Sequence, residues 1–391
     1  MFEKIVLRRS ESGPPVSVGE LAEALLYYQN VHMILDYSSL FGLVQVIGMP
    51  LLLELLNRPN VSAVYCHESL GTHTETVGGM QYHSFIAFSL GAGPPNFAKV
   101  VEEVLVRNGH TKKDAGKLTE KFCRKVPFKK LESNYFLPGG ITKAATKDIF
   151  ETEFAHNAVK EILKSTYGAE DQSGNVRFHV VSSVNSFLVS TSIDVDKINS
   201  LRLASNTSME AVTIAHLINE ILMARADMAF ASHYGGDFRT SDVGSNIVRL
   251  RCDELLHRAG MNLRELNQFQ EIVLPNSPSL KEVINGKEKT FEDFLVLLDK
   301  ADRFHKWIGG INPDVAVVSS YLEEVVSEGW VNKLPSKILR YVIGGVAGAI
   351  ANPLVGLGVA AADTFLLDKL IGGWKPSHFI DKQLKPFVAG R

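Results

Sequence analysis

Residues 61–90 read VSAVYCHESLGTHTETVGGMQYHSFIAFSL, and their content of β-branched and aromatic side chains predicts strands over Val61–Ser69 and Thr72–Leu90. Gly78-Gly79 lies between Val77 and Met80, where a two-residue hairpin turn needs positive φ, so the second run folds back on itself. Counting outward from that turn pairs Glu75 with Tyr82, Thr74 with His83 and His73 with Ser84. His73 and Glu75 then share one sheet face and His83 takes the other.

Working outward, Ile5–Leu7 before Arg8-Arg9 reads as a strand that Gly13-Pro14-Pro15 terminates, because proline has no ladder donor. Ser17 with Glu20 forms a capping box, and Leu21, Ala24, Leu25, Tyr28, Val31 and His32 recur at helical spacing through about Asp36. A second helix is expected over Ser39–Asn57, bent or split at Pro50. Beyond the hairpin, helices are expected over Phe97–Arg107, Lys112–Lys125 and 146–166. Alternation on both sides of Ser183-Val184-Asn185-Ser186 predicts a further hairpin over Val176–Ile193.

The fold class expected is α+β: an antiparallel sheet of about six strands with covering helices over residues 1–195. A helical region over 196–335 follows. Its helices are expected from a Thr207/Glu210 capping box to about Ala231, over Asn246–Arg258 and over Thr290–Ile308. Residues 336–391 are expected to form an apolar, Gly/Ala-rich helical hairpin.

With 391 residues, 45% hydrophobic and 21% charged, the chain has material for more than one core and is not disordered in bulk. Lys and Arg number 41 against 43 Asp and Glu, so no global charge draws it to nucleic acid or anionic lipid. The cysteines Cys66, Cys123 and Cys252 are odd in number and scattered, which points away from a disulfide framework. No apolar leader with a small-residue cleavage site follows Met1, so a cytoplasmic location is expected.

Four segments could carry function. Tyr341–Ala362 runs 22 residues without a charge, long enough to span a bilayer, with small residues at Gly344, Gly348 and Gly356 that allow close helix approach. Its central Asn352-Pro353 favours a bent or hairpin form, and Trp374 lies where an interfacial anchor would sit. A buried Gly/Ala hairpin explains the same pattern.

Residues 107–130 hold nine Lys or Arg against Asp114 and Glu120. Lys113, Lys117, Lys121 and Arg124 fall at helical spacing and make an anion-binding row, although a solvated helix face has the same composition.

Cys66, His67, Glu68, His73, Glu75 and His83 form the densest catalysis-capable cluster. No HExxH or Cys-x-x-Cys spacing accompanies them, and the two-faced placement of the histidines opposes a metal site, so none is expected. His233 and Asp237, beside Gly235-Gly236, form a second polar cluster without a nucleophile elbow. No dinucleotide or P-loop glycine pattern is complete, and no cofactor is expected.

The function expected is therefore a non-enzymatic interaction or effector protein, cytoplasmic or at the inner face of a membrane, whose C-terminal apolar segment contacts or enters lipid. Its partners would be a membrane or another protein. The first alternative is an acid/base or metal-dependent hydrolase using His67, His73, Glu75, His233 or Asp237. The second is non-specific, weak nucleic-acid binding through residues 107–130.

Overall fold

The computed structural model describes residues 2–9, 15–89, 96–167, 176–205, 211–238, 246–248, 250, 266–275, 277–311 and 376–389. The protein is a mixed α and β structure with one four-stranded antiparallel sheet and one parallel sheet. Its chain divides into two compact units, Met1–Ile5 with Ser17–Val31 and Gly260–Arg391, and Val6–Val16 with His32–Ala259.

Along the chain strands and helices alternate at first and then separate. Strand β1 is Lys4–Arg8, followed by α1 (Val18–Tyr27), β2 (Asn30–Leu35), α2 (Tyr37–Leu55), β3 (Val61–Cys66), β4 (Ser69–Val77) and β5 (Met80–Phe88). Next come α3 (Phe97–Arg107), α4 (Lys112–Lys125), β6 (Phe128–Lys129), α5 (Ile141–Phe150) and α6 (Thr152–Tyr167). The chain continues through β7 (Phe178–Ser183), β8 (Ser186–Thr191), α7 (Val195–Ser205), α8 (Ile214–Tyr234) and β9 (Asp237–Phe238). Helix α1 belongs to the first unit, β1 and β2 run across the division, and the elements from α2 to β9 belong to the second.

One sheet has the order β6-β3-β2-β1-β9 and the other β4-β5-β8-β7. This replaces the single antiparallel sheet of about six strands that the sequence suggests. The reason is β2: Asn30–Leu35 is buried from Val31 onward, and a strand covered on both faces is a continuous apolar run that also fits a helical repeat. Helix α1 ends at Tyr27, with the Tyr28 amide donating to the Ala24 carbonyl, and β2 begins where helix was expected. Strands joined through helices pair in parallel, because a tight hairpin cannot connect them.

The antiparallel sheet follows the turn chemistry. Gly78 and Gly79 both have positive φ, and the ladder pairs Glu75 with Tyr82, Thr74 with His83 and His73 with Ser84. The second hairpin turns at Val184-Asn185, where Asn185 takes φ 57°, and joins the first through Tyr82 opposite Leu188.

Helices α5, α6 and α8 lie between the two sheets. Val6, Ile34 and Val64 of the parallel sheet share one core with Phe85, Phe178 and Phe187 of the antiparallel sheet and with Ile149, Ile162 and Phe230 of these helices. On the parallel sheet's other face, Tyr65 stacks on Phe97 of α3 at 4.7 Å. Helix α2 is broken at Gly48 (φ 74°, ψ 153°), two residues before Pro50, so the bend expected at the proline is taken up by the glycine. Among the described residues α2 is the one helix long and apolar enough to cross a membrane, and half of it is buried by the protein. Helix α8 starts at Thr213 with His216 as its capping-box partner, while Thr207 and most of 246–258 lie outside the described residues.

In the first unit, α1 packs on α9 (Leu280–Asn285), α10 (Phe291–Asp299) and α11 (Asp302–Gly309). The described chain closes with α12 (Pro376–Phe379), a π-helical turn Ile380–Leu384 and α13 (Lys385–Val388). The α1–α9 contact is close enough that the Gly19 amide donates to Asn285 Oδ1 at 2.9 Å, and Lys281 bridges Glu20 at 2.9 Å. A Cβ at Gly19 would lie 2.5 Å from the Lys281 carbonyl oxygen, so glycine is required for this approach. Gly19→Ala is therefore expected to cost about 1–3 kcal/mol through overpacking. Chemical denaturation measures it, and an unchanged midpoint would contradict the packing described.

Candidate functional site

Strands β1, β2, β3 and β6 end at one crevice of the second unit, lined by Arg8, Arg9, Leu35, Asp36, Cys66, Glu68, Leu131 and Phe230, with a cavity of about 50 Å³. In open α/β sheets the place outside the carboxyl ends of the strands, where strand order reverses, is the one that ligands occupy. Strand β1 is that point here, since β2 and β3 lie to one side of it and the much later β9 to the other.

The alternation of β1 places Val6 and Arg8 on the face covered by α8. Arg8 Nε meets Asp227 Oδ1 of α8 at 2.8 Å, its Nη2 lies 3.7 Å from Met223 Sδ, and its guanidinium sits over the Phe230 ring at 4.9 Å. Both side chains are nearly buried, at 11% and 8% exposure. Two charges so far from water require each other, because either alone would be an uncompensated buried ion. Asp227 in turn raises the Glu220 carboxyl above its ordinary range, after burial, which is the larger cause.

Arg9 differs from its neighbour. Its side chain is one-third exposed and Nη1 lies 3.1 Å from Ser38 Oγ and 3.5 Å from Asp36 Oδ2, a loose ion pair. Asp36 is the N-cap of α2 and accepts the Ser39 amide at 2.7 Å through its other oxygen. Glu68 Oε2 accepts the Leu131 amide and so ties the end of β3 to the segment after β6. Burial, and then the Glu68 carboxylate, push the Cys66 thiol up to about 12 against the opposing pull of Arg8 and Lys129. The crevice thus holds two guanidinium groups, two carboxylates and a neutral thiol.

Of the sequence-selected residues, Cys66 and Glu68 reach this crevice and the others are dispersed. His67 bonds the Tyr65 hydroxyl through Nδ1 at 3.1 Å. His73 and Glu75 are exposed on the outer face of β4, whereas His83 is buried on the inner face, 2.9 Å from Thr74 Oγ1 and shifted below its ordinary pKa by burial. His233 lies against Tyr135 and Phe136, with ring centroids at 4.5 and 5.6 Å, and Asp237 opens β9. Among the described residues no group of three or more His, Cys, Asp or Glu is arranged to hold a metal.

Lys113, Lys117, Lys121 and Arg124 are exposed along α4, opposite its buried Ala115, Thr119 and Phe122, with Arg124 paired to Glu120 at 3.2 Å. Gly344, Gly348, Asn352, Pro353, Gly356 and Trp374 lie outside the described residues.

Arg8, Arg9 and Asp36 carry no local motif. Their shared signal is position: each follows a short apolar run at a strand's carboxyl end, as Glu68 does. No protein-family model matches the chain, and neither does any curated protein or solved structure.

A folded-state thiol that keeps its proton to about 12, against an ordinary value of 9.0, makes a contribution to stability that is complete below 9.0 and is lost as pH rises between the two. Cys66 should resist iodoacetamide at pH 8, where only about one thiol in ten thousand is ionised, until denaturant unfolds the chain. The half-buried Cys123 should label before Cys66. Labelling of native Cys66 at the rate of a free thiol would contradict the buried, neutral thiol.

Proposed function

We propose that the protein is a ligand-responsive interaction or effector protein whose second unit binds a small molecule at the carboxyl ends of β1, β2, β3 and β6. The observation that carries this reading is the convergence of the consecutive Arg8 and Arg9, Asp36 and Glu68 on one crevice from three separated places in the sequence. Arg8 is committed to Asp227 and Glu68 to the Leu131 amide, whereas the Arg9–Asp36 contact is long, at 3.5 Å, and part-exposed, which makes it the pair we take a ligand to exchange. Arg9 suits a carboxylate or phosphoryl group, and Asp36 a hydroxyl or amine on the same molecule.

Balanced lining charge argues against a polyanion such as nucleic acid here. A cavity of about 50 Å³ takes the head of such a ligand and leaves the remainder at the mouth. The neutral Cys66 is no nucleophile at ordinary pH, which favours binding over covalent chemistry. The effector role, a location in the cytoplasm or at the inner face of a membrane, and the lipid contact of Tyr341–Ala362 remain part of this proposal, with ligand binding in the second unit as the signal.

Calorimetric titration and thermal shift with inorganic phosphate, phosphoethanolamine and glutamate test the reading. Binding of one or more of these probes is expected to raise Tm with ligand concentration. Arg9→Gln should weaken it about tenfold or more, the loss of a charge-assisted hydrogen bond. Absence of binding by all three probes, or binding that Arg9→Gln leaves unchanged, would remove the crevice from consideration.

A further inference from the structure

The first unit carries a second concavity, formed between α10 and the closing helical stretch. It is an open cleft of about 340 Å³ whose lining includes Lys289, Lys300 and Lys382 together with Val296 and Phe387. That volume is in the range of small-molecule sites. Among the described residues Asp293 is the one acidic group lining it, and it is already engaged, since its Oδ2 accepts both the Thr290 amide at 3.1 Å and the Thr290 hydroxyl at 2.8 Å. Those bonds hold its carboxyl below the ordinary range, so it stays charged while the three ammonium groups outnumber it.

Lys300 and Lys382 have no carboxylate within ion-pair distance among the described residues. The nearby Asp381, by contrast, is taken by Lys385. Lys289 stands over the Phe387 ring at 5.9 Å. Beside these cations and Gln383 the cleft presents Val296, Leu297, Pro386 and Phe387, with Val296 57% exposed.

Cationic heads beside the exposed Val296 and the half-buried Phe387 ring match an amphiphile that is anionic at one end and hydrocarbon at the other. Nucleic acid would instead ask for stacked aromatics along a basic track, and among the described residues Phe387 is the one aromatic ring lining the cleft. We infer that this cleft is a docking site for the anionic headgroup of a phospholipid at a membrane surface, with Lys289, Lys300 and Lys382 around the phosphate and Val296 and Phe387 against the first acyl carbons. The site belongs to the first unit alone and does not depend on what the strand-end crevice binds.

Sedimentation of the full chain with vesicles separates the sources of such binding. Vesicles of phosphatidylcholine mixed with phosphatidylglycerol should carry the protein down, and phosphatidylcholine alone should carry less. Lys300→Gln and Lys382→Gln should each weaken binding to the mixed vesicles about fivefold at low salt, since each removes one cation from an anionic surface. Val296→Ser should weaken it further, with Tm unchanged because all three side chains are exposed. Two controls complete the experiment: inorganic phosphate, which should not release the bound protein at millimolar level, and polyuridylate in place of vesicles. Equal sedimentation with both vesicle types, or binding that the two lysine variants leave intact, overturns the inference. So does tighter binding to polyuridylate that the same variants abolish, which would assign the cleft to nucleic acid.

Discussion

The ion pair between Arg8 and Asp227 joins the last residue of β1 to the middle of α8, and the second unit is arranged around it. Helix α8 is the element that faces both sheets: His32 of β2 stacks on Tyr234 at 3.8 Å, while Thr72 of β4 reaches Asn219 at 3.3 Å. A guanidinium 11% exposed cannot recover its hydration cost from the aspartate alone. Phe230 beneath it and Met223 beside it add cation–π and soft polar contact, so the charge is enclosed on every side that water has left. Such a pair contributes less to net stability than an apolar pair of equal volume would. What it fixes is position, because neither partner can shift without stranding the other.

Fixing Arg8 fixes the wall of the crevice and leaves the adjacent Arg9 at its mouth. The two arginines, consecutive in sequence, point to opposite faces of the strand and so meet different surroundings. Arg8 is structural cement, whereas Arg9, about one-third exposed, meets Asp36 at 3.5 Å and the Ser38 hydroxyl at 3.1 Å. The same division holds among the acids, since Asp227 and Glu68 have buried work to do and Asp36 keeps one oxygen toward Arg9. A site with rigid walls and one exchangeable pair can admit a ligand at small reorganisation cost.

The hairpins were legible because their information is local. Two glycines at positive φ and alternating side chains set both the turn and the register of β4 and β5, down to the faces that His73, Glu75 and His83 occupy. The parallel sheet was not legible, since a strand buried on both faces lacks alternation. The run from Val31 to Leu35 continues the spacing of α1 closely enough to hide the strand. With β2 read as helix, the strand–helix–strand order that demands parallel pairing disappeared, and with it the carboxyl-end crevice.

Local clustering in the sequence singles out His67, His73 and Glu75, which the fold leaves outside the crevice. Folding instead gathered Arg8, Asp36, Glu68 and Asp227, residues up to 219 positions apart that no spacing rule connects. Charged residues directly after short apolar runs were the trace left in the sequence, and reading it needs the sheet order first.

The most direct test of this account is a double-mutant cycle on the pair at its centre, with Arg8→Met, Asp227→Leu and their combination compared by denaturant unfolding. Each single change should lose about 3–5 kcal/mol by stranding a buried charge, and the combination should recover most of that loss. Single changes that cost less than about 0.5 kcal/mol, or losses that simply add in the double variant, would contradict it.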